Sequence, residues 1–546
     1  MPEPNKTLTL KGRTISPGMG EGNIFVHLIL SEPLDVPEYI VKRDVDDEIS
    51  RLDDAIVKIS DDLVALASRV EKEIDTSLSK VFDVHKLILE DSSLKKELRK
   101  EIVGNLMCAS SAVKTVFQRW EDRFLLMESQ IAKDKGDDMR DLSNRLCSAL
   151  AGISLHPLEE IPLGSVLVSK RLLPSDTVFL SSHSIAAVLL EFGSNGSHAA
   201  LFAREMGLPC IAGLVDLVST VPDGAPALVD ADEGTITLRP DETQRAAFQD
   251  RVAERKQDFC RARDQAMKSA LTKDKVTITV LANVGCRDDT QLAIANGAEG
   301  VGLYRIEQVY LGRVEPPSED ELYEEMFKTL EPAKGKPVGV RLLDAGADKP
   351  LPFLKSLDES NPALGRRGIR LLLEYPDFLD TQLRTILKLA AEFDISILVP
   401  MITLPDEMAA VRVRLTELGS EMGISSVPRL GAMIETPAAA LSAIELAPFS
   451  DFLSFGSNDL TQYAFAADRE NTAVERYFND SSEVIFRFFK ITRDDVPEMP
   501  LSVCGELAGR SSHIPKLLKC GIRTLSVAPP LIPSVKETIR DSYTSE

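Results

Sequence analysis

GAMIETPAAALSAIELAPFSDFLSFGSNDLTQYAF, residues 431–465, holds two short apolar runs, GAMIE and FLSFG, separated by a helix-favouring stretch. Runs of that length and composition read as buried strands, and the segment reads as a strand–helix–strand unit. The same rhythm continues outward. TVLAN, GVGLY, VGVRLL and ISILVPM precede it, LSVCG and TLSVA follow it, and helical patterns lie between most of them. Eight such units within residues 269–546 match the size and order of a (β/α)8 barrel, in which active-site groups come from the C-terminal ends of the strands. Arg305 follows GVGLY, Arg341 sits within VGVRLL, Glu435 ends GAMIE, Asn458 and Asp459 follow FLSFG, and Cys504 ends LSVCG. All are expected at or near the reactive rim.

Upstream of the barrel the periodicity changes. Residues 26–150 contain, from Asp44 onward, almost no Gly or Pro, and Leu52, Ile56, Ile59, Leu63 and Leu66 recur at helical spacing, which predicts a helical bundle. The flanking segments, 1–25 with SPGMGEG and 151–244 with SVLVSK, AAVLLEF, PALVD and TITLR, read as one α/β domain into which the bundle is inserted. Its expected helix, ALFAREMG, ends at Gly207 before Pro209. Residues 245–268 are polar and helix-favouring, a linker helix into the barrel. The fold class is therefore multidomain α/β.

Composition narrows the function. The 63 Lys and Arg residues against 85 Asp and Glu leave a net charge of −22, which disfavours nucleic acid or an anionic membrane as partner and would steer in a basic protein. No apolar run is long enough to span a membrane, and MPEPNKTLTL lacks the pattern of a secretory signal, so a cytoplasmic location is expected. Seven scattered cysteines without a CxxC pair argue against a disulfide framework or structural zinc.

Glu435 and Asp459 are hard oxygen ligands able to hold Mg²⁺ while leaving positions for substrate oxygens. Arg305 and Arg341 can grip a phosphate through forked hydrogen bonds. Either pair alone would as readily be a structural salt bridge; together they suit the spreading charge of a phosphoryl group in flight. Cys504, at a strand end beside them, can exchange a proton with a carbon centre, whereas a cysteine elsewhere is usually a small apolar residue. His198, in GSNGSHAALFARE, stands where small residues and a helix start suit a phosphate. His85, in FDVHKLILED, is expected on a helix near a partner surface.

With these motifs in hand, the chain resembles the phosphoenolpyruvate-utilising phosphotransferases, most closely the Enzyme I branch of the sugar phosphotransferase system, from about Thr14 onward. NGAEGVGLYRIE, NPALGRRGIR, MIETPAAA, SFGSNDLTQYAFAADREN and SVCGELAG carry the likeness. The resemblance implies that Glu435 and Asp459 hold Mg²⁺ and that Arg305, Arg341, Arg367, Asn458 and Arg469 hold phosphoenolpyruvate. It also implies that Cys504 protonates the enolate, His198 carries the phosphoryl group, the helical insert docks the carrier HPr, and the barrels pair into a homodimer. Departures accompany it: GSNGSH where the family reads GGxTSH, Ile306, Gln308 and Leu342 beside the arginines, DAGADK for DIGGDK, and Arg510 for an acid. They leave open a regulatory, phosphoenolpyruvate-sensing paralogue with impaired transfer; independently of them, a lyase-like or isomerase-like barrel with decorative N-terminal domains stays open as well. The related dikinases and synthases add a nucleotide-binding domain, of which the first 150 residues show no glycine-rich phosphate cradle.

Overall fold

In the computed structural model the chain divides into two compact units, Met1–Ala253 and Glu254–Glu546. The structure describes all residues except 1–6, 28–37, 74–75, 126–129, 153–156, 182–183, 193–199, 201, 204–205, 311–312, 314, 347–350, 352, 355–358, 360, 470, 472–473 and 546.

The first unit contains strands β1 (Leu8–Lys11), β2 (Arg13–Ser16), β3 (Met19–His27), β4 (Val166–Ser169), β5 (Ala187–Leu190), β6 (Cys210–Ala212), β7 (Pro226–Asp230) and β8 (Thr235–Leu238). They form one sheet in the order β1-β8-β7-β3-β4-β5-β6-β2, with β3 to β6 parallel and the flanking pairs antiparallel. Strands β4 and β5 are buried along their whole length, as parallel strands covered on both faces must be. The chain leaves this sheet after β3 and returns at β4. Between them run helices α1 (Val45–Glu73), α2 (Thr76–Glu90), α3 (Ser92–Asn105), α4 (Ala109–Leu125) and α5 (Gln130–Leu150). Their apolar stripes, Leu52, Leu63, Leu98, Val113, Phe117 and Leu142 among them, close a separate core. Asp91 starts α3 by accepting the Ser93 and Leu94 amides at 2.8 and 2.9 Å, satisfying donors that a helix end otherwise leaves orphaned.

His85 departs from the expectation of a partner surface. It is fully buried in the bundle, 3.1 Å from Asp138 and 3.7 Å from Asp141 on α5. Asp141 in turn accepts from the Ser175 hydroxyl at 2.5 Å, at the start of the Pro174–Ser181 helix of the α/β domain. These carboxylates are within ion-pair reach of the ring, although neither ring nitrogen makes a hydrogen bond of good geometry, and they stand on α5, more than fifty residues along the chain. Of the expected ALFAREMG helix, Leu201, Arg204 and Glu205 lie outside the described residues, while Ala200, Phe202 and Ala203 are helical and Met206 and Gly207 form the turn that ends it.

The second unit is the barrel. Strands β10 (Thr277–Val284), β11 (Val301–Arg305), β12 (Pro337–Arg341), β13 (Asp394–Val399), β14 (Arg429–Ile434), β15 (Phe452–Phe455), β16 (Leu501–Val503) and β17 (Thr524–Val527) pair in parallel, and β10 joins both β11 and β17 to close the ring. A short antiparallel strand, β9 (Ala270–Leu271), pairs with β10. All eight runs singled out in the sequence are barrel strands, and helices lie between most of them. Among the described residues no helix is long and apolar enough to cross a membrane.

Away from the reactive rim, Lys536 is fully buried and donates to the carbonyls of Ala266 and Gly297 at 3.0 and 2.7 Å, with Glu299 at 3.2 Å. This one ammonium satisfies two chain reversals that precede β10 and β11. Replacing Lys536 with Ala is expected to cost about 2–5 kcal/mol, from the lost stem and the orphaned carbonyls. The barrel's unfolding transition in urea measures it, and a loss below about 1 kcal/mol would mean that the two carbonyls find other donors.

Candidate active site

Strand register brings the cationic groups together. Arg305 and Arg341 are direct partners at the ends of β11 and β12, a juxtaposition of like charges that costs energy unless something anionic faces it. The two are held differently. Arg341 is buried, donates to Glu307 at 2.9 Å and lies 3.3 Å from Asp344. Arg305 reaches solvent at the mouth and makes no hydrogen bond or ion pair with another described residue. Crowding by protein, and then the Arg341 cation, lower its basicity. Burial works against the Arg341 cation too, but Glu307, Asp344, Glu435 and Asp459 outweigh it and raise its basicity.

Arg367, just before the Ile369–Glu374 helix, ties the mouth together. Its guanidinium donates to both Asp344 oxygens at 3.2 and 2.8 Å, to Asp459 at 3.0 Å and to the Tyr463 hydroxyl at 3.2 Å. Here again burial opposes the cation and the paired carboxylates prevail. Gly346 makes this approach possible. Its φ of +105° lies in the region that side chains rarely adopt, and a Cβ there would strike the Arg366 carbonyl and crowd Arg367. Arg469 approaches Asp459 from the other side at 3.9 Å, and Asn458 accepts the Glu506 amide at 3.1 Å.

Glu435, at the end of β14, and Asp459, on the Ser457–Phe465 helix after β15, face this cluster from adjacent strands. Met401 holds Glu435: its backbone is left-handed, φ +59°, and its amide donates to the carboxylate at 2.7 Å. Burial first, then Asp459 and Asp344, push Glu435 up to about 7 against the relief from Arg341 and Arg367. The carboxylates therefore lack positive charge. Gly456 leaves open space beside Glu435, since a Cβ there would meet its Oε1 at 2.5 Å. Among the described residues no three His, Cys, Asp or Glu groups converge on a common point. Two carboxylates with a charge deficit fit a hard divalent cation whose remaining ligands are substrate oxygens and water.

Cys504 lies below this polar mouth in a small apolar layer with Leu303, Leu398 and Met433. Burial pushes its thiol up to about 11, so it keeps its proton at neutral pH. Asn283 on β10 donates to the Cys504 carbonyl at 3.0 Å and accepts from Ser526 at 2.7 Å.

The structure thus gathers Arg305, Arg341, Arg367, Glu435, Asn458, Asp459, Arg469 and Cys504 at one barrel mouth, while His198 and the GSNGSH stretch lie outside the described residues. Sequence reasoning passed over Glu307, Asp344 and Met401. Asp344 carried a signal, since it opens the DAGADK segment three residues after Arg341. Ile306 and Leu342 are fully buried in the main core, so these departures face away from the mouth. Arg510 pairs with the buried Asp480 at 2.8 Å.

A (β/α)8 barrel with guanidinium groups and an acidic pair at its C-terminal rim defines an enzyme that handles an anionic substrate. Residues 260–544 match the model of the PEP-utilising enzyme, PEP-binding domain; residues 11–135 match its N-terminal domain, and residues 161–234 its mobile domain. The phosphoenolpyruvate-protein phosphotransferase of Haloferax volcanii is 34% identical over 98% of this chain and 95% of its own length. That of Geobacillus stearothermophilus is 32% identical over 91% of this chain and 88% of its own, and that of Staphylococcus carnosus 30% over 92% and 89%. The chain belongs to the phosphoenolpyruvate-protein phosphotransferase family of PEP-utilising enzymes.

The charge deficit has a measurable consequence. A carboxyl raised from 4.5 to about 7 keeps its proton in the folded chain where the unfolded chain has lost it, so it favours folding below that window. Protein stripped of divalent ions is expected to lose stability as pH rises through the window, by up to about 1.4 kcal/mol per unit for one proton. Thermal melts of wild type and Glu435→Gln isolate the effect. The variant should lack this component, and identical pH profiles would mean that the arginines already neutralise Glu435.

Proposed function

We propose that the chain transfers the phosphoryl group of phosphoenolpyruvate to His198 and then to the phosphocarrier HPr, releasing pyruvate, as the first step of the phosphoenolpyruvate-dependent sugar phosphotransferase system. The paired Arg305 and Arg341, facing the Glu435–Asp459 carboxylates across the mouth, carry this reading. Its support is a strongly cationic anion seat beside carboxylates that their arginines do not fully offset, in a chain related to phosphoenolpyruvate-protein phosphotransferases over nearly its whole length.

In this reading Arg305 and Arg341 take the phosphate, while Arg367, Arg469 and Asn458 orient the rest of the substrate. Glu435 and Asp459 hold Mg²⁺, which when bound offsets the charge that builds on the transferring group. Arg367 now spans Asp344 and Asp459 and gives up part of that contact to the substrate. A neutral imidazole nitrogen of His198 attacks phosphorus in line, and the bond from phosphorus to the enol oxygen breaks. Cys504 gives its proton to the methylene carbon of the departing enolate, which becomes the methyl group of pyruvate. A thiol held protonated by burial is in the right state for that step.

The histidine has to travel between donor and carrier. His198 lies within the stretch that matches a domain described as mobile. The Glu242–Asp264 helix leads from it towards the barrel with every residue exposed between Phe248 and Ala262, as suits a connection that reorients. HPr would dock on the helical bundle, where Val57 and Val64, two turns apart on α1, and Leu87 on α2 turn apolar side chains to solvent. A homodimer through the barrels, read by sedimentation, and a cytoplasmic location complete the proposal.

Incubation with Mg²⁺ and labelled phosphoenolpyruvate should place acid-labile phosphate on His198 and pass it to HPr. His198→Ala should abolish uptake, and undiminished labelling of that variant would eliminate the assignment. Cys504→Ala should slow pyruvate formation about 10²- to 10⁴-fold, the usual share of a general acid, with far less effect on substrate affinity. Normal turnover would remove Cys504 from the chemistry.

A further inference from the structure

Side chains alternate along β15. Leu453 and Phe455 turn outward into the main core, where Phe455 lies 4.4 Å from Phe489 between ring centroids, while Phe452 turns inward against the layer that holds Cys504. Ser454 therefore points into the barrel. It stands opposite Ser502 on β16, two residues before Cys504. Its hydroxyl donates to the Cys504 sulfur at 3.7 Å, and the thiol donates to the Phe455 carbonyl at 3.4 Å. Ser454 and Cys504 are both buried.

This arrangement matters most after the proton has left. A thiolate formed here would have the apolar side chains of Leu303, Leu398 and Met433 around it and the Phe455 carbonyl, an acceptor, close by. Among the described residues, Ser454 is the sulfur's one hydrogen-bond donor. Hydrogen bonds to a charged acceptor are stronger than those to a neutral one, so this contact strengthens as the reaction proceeds.

We infer that Ser454 is a positioning residue for proton delivery, its hydroxyl orienting the Cys504 thiol and stabilising the thiolate that remains. The inference rests on the acid role proposed for Cys504. In the step, the S–H bond breaks, a C–H bond forms at the enolate methylene carbon, and the negative charge passes from enolate to sulfur. Ser454 keeps its own proton throughout. The thiolate recovers a proton from solvent once pyruvate has gone.

The test uses full-length Ser454→Ala, Ser454→Thr and Cys504→Ala side by side. Ser454→Ala is expected to lower kcat for pyruvate formation about tenfold to a hundredfold, the scale of one hydrogen bond to a charged group, with KM and single-turnover labelling of His198 unchanged. It should also slow alkylation of Cys504 by a small reagent at fixed pH, followed site by site by mass spectrometry, because less thiolate forms. Ser454→Thr restores the hydroxyl and should restore most of both. Normal kcat in Ser454→Ala with slow Cys504→Ala would overturn the role of Ser454 alone. Normal kcat in Cys504→Ala would remove the acid role and this inference with it. Loss of His198 labelling in Ser454→Ala, or no rescue by Thr, would show a packing defect and also overturn the inference.

Discussion

Two guanidinium groups, Arg341 and Arg367, lie out of water at the barrel mouth, and the active end of the molecule depends on the carboxylates that face them. Removing a charge from water is costly, and a buried ion pair often does no better for stability than apolar residues of the same volume. Asp344 serves both arginines, Glu307 braces Arg341 and also accepts the Asp344 amide at 3.1 Å, and Asp459 completes the circuit through Arg367. The network is thus better explained by geometry than by stability. It fixes two forked donors at the rim and still leaves the acidic side short of positive charge.

That imbalance organises the rest. Arg305 is left without a direct ion pair among the described residues, and Glu435 is left with more negative neighbours than its arginines can offset. An incoming phosphate would relieve the first and a divalent cation the second, so each ligand would improve the electrostatic case for the other. A site preorganised in this way needs little rearrangement as charge develops during reaction. Met401 shows where backbone strain is accepted for the same end, since its left-handed conformation is what aims an amide at Glu435.

The barrel was legible in the sequence because its signal is local. Each strand is a short apolar run bounded by turns, and the rule that strand ends carry the chemistry points to Arg305, Arg341, Glu435, Asp459 and Cys504 from their positions in the sequence. What escaped depends on contacts between distant segments. Asp344 gains its meaning from Arg367, 23 residues away, and Arg367 from Asp459, 92 residues further on. His85 looked like a surface residue because FDVHKLILED offers its ring no ion pair, whereas Asp138 and Asp141 on another helix do. The substitutions at Ile306 and Leu342 looked like changes to the site, yet neither side chain faces the mouth.

The mouth is also graded along its depth, and the grading matches the two ends of an enol phosphate. Its upper part offers guanidinium groups and acidic oxygens to the charged portion, while the layer beneath, Leu303, Leu398 and Met433 around Cys504, suits a methylene carbon. Burial raises the cost of ionising the thiol, which keeps the proton in place but also makes it hard to release. A lone thiol in such a layer would be well protected and slow. One hydroxyl from the strand next door would resolve the conflict, because a hydrogen bond to sulfur is worth little while the thiol is neutral and more once it is charged. The serine in FLSFG, two residues before the glycine beside Glu435, thus links the apolar floor of the barrel to the polar chemistry above it.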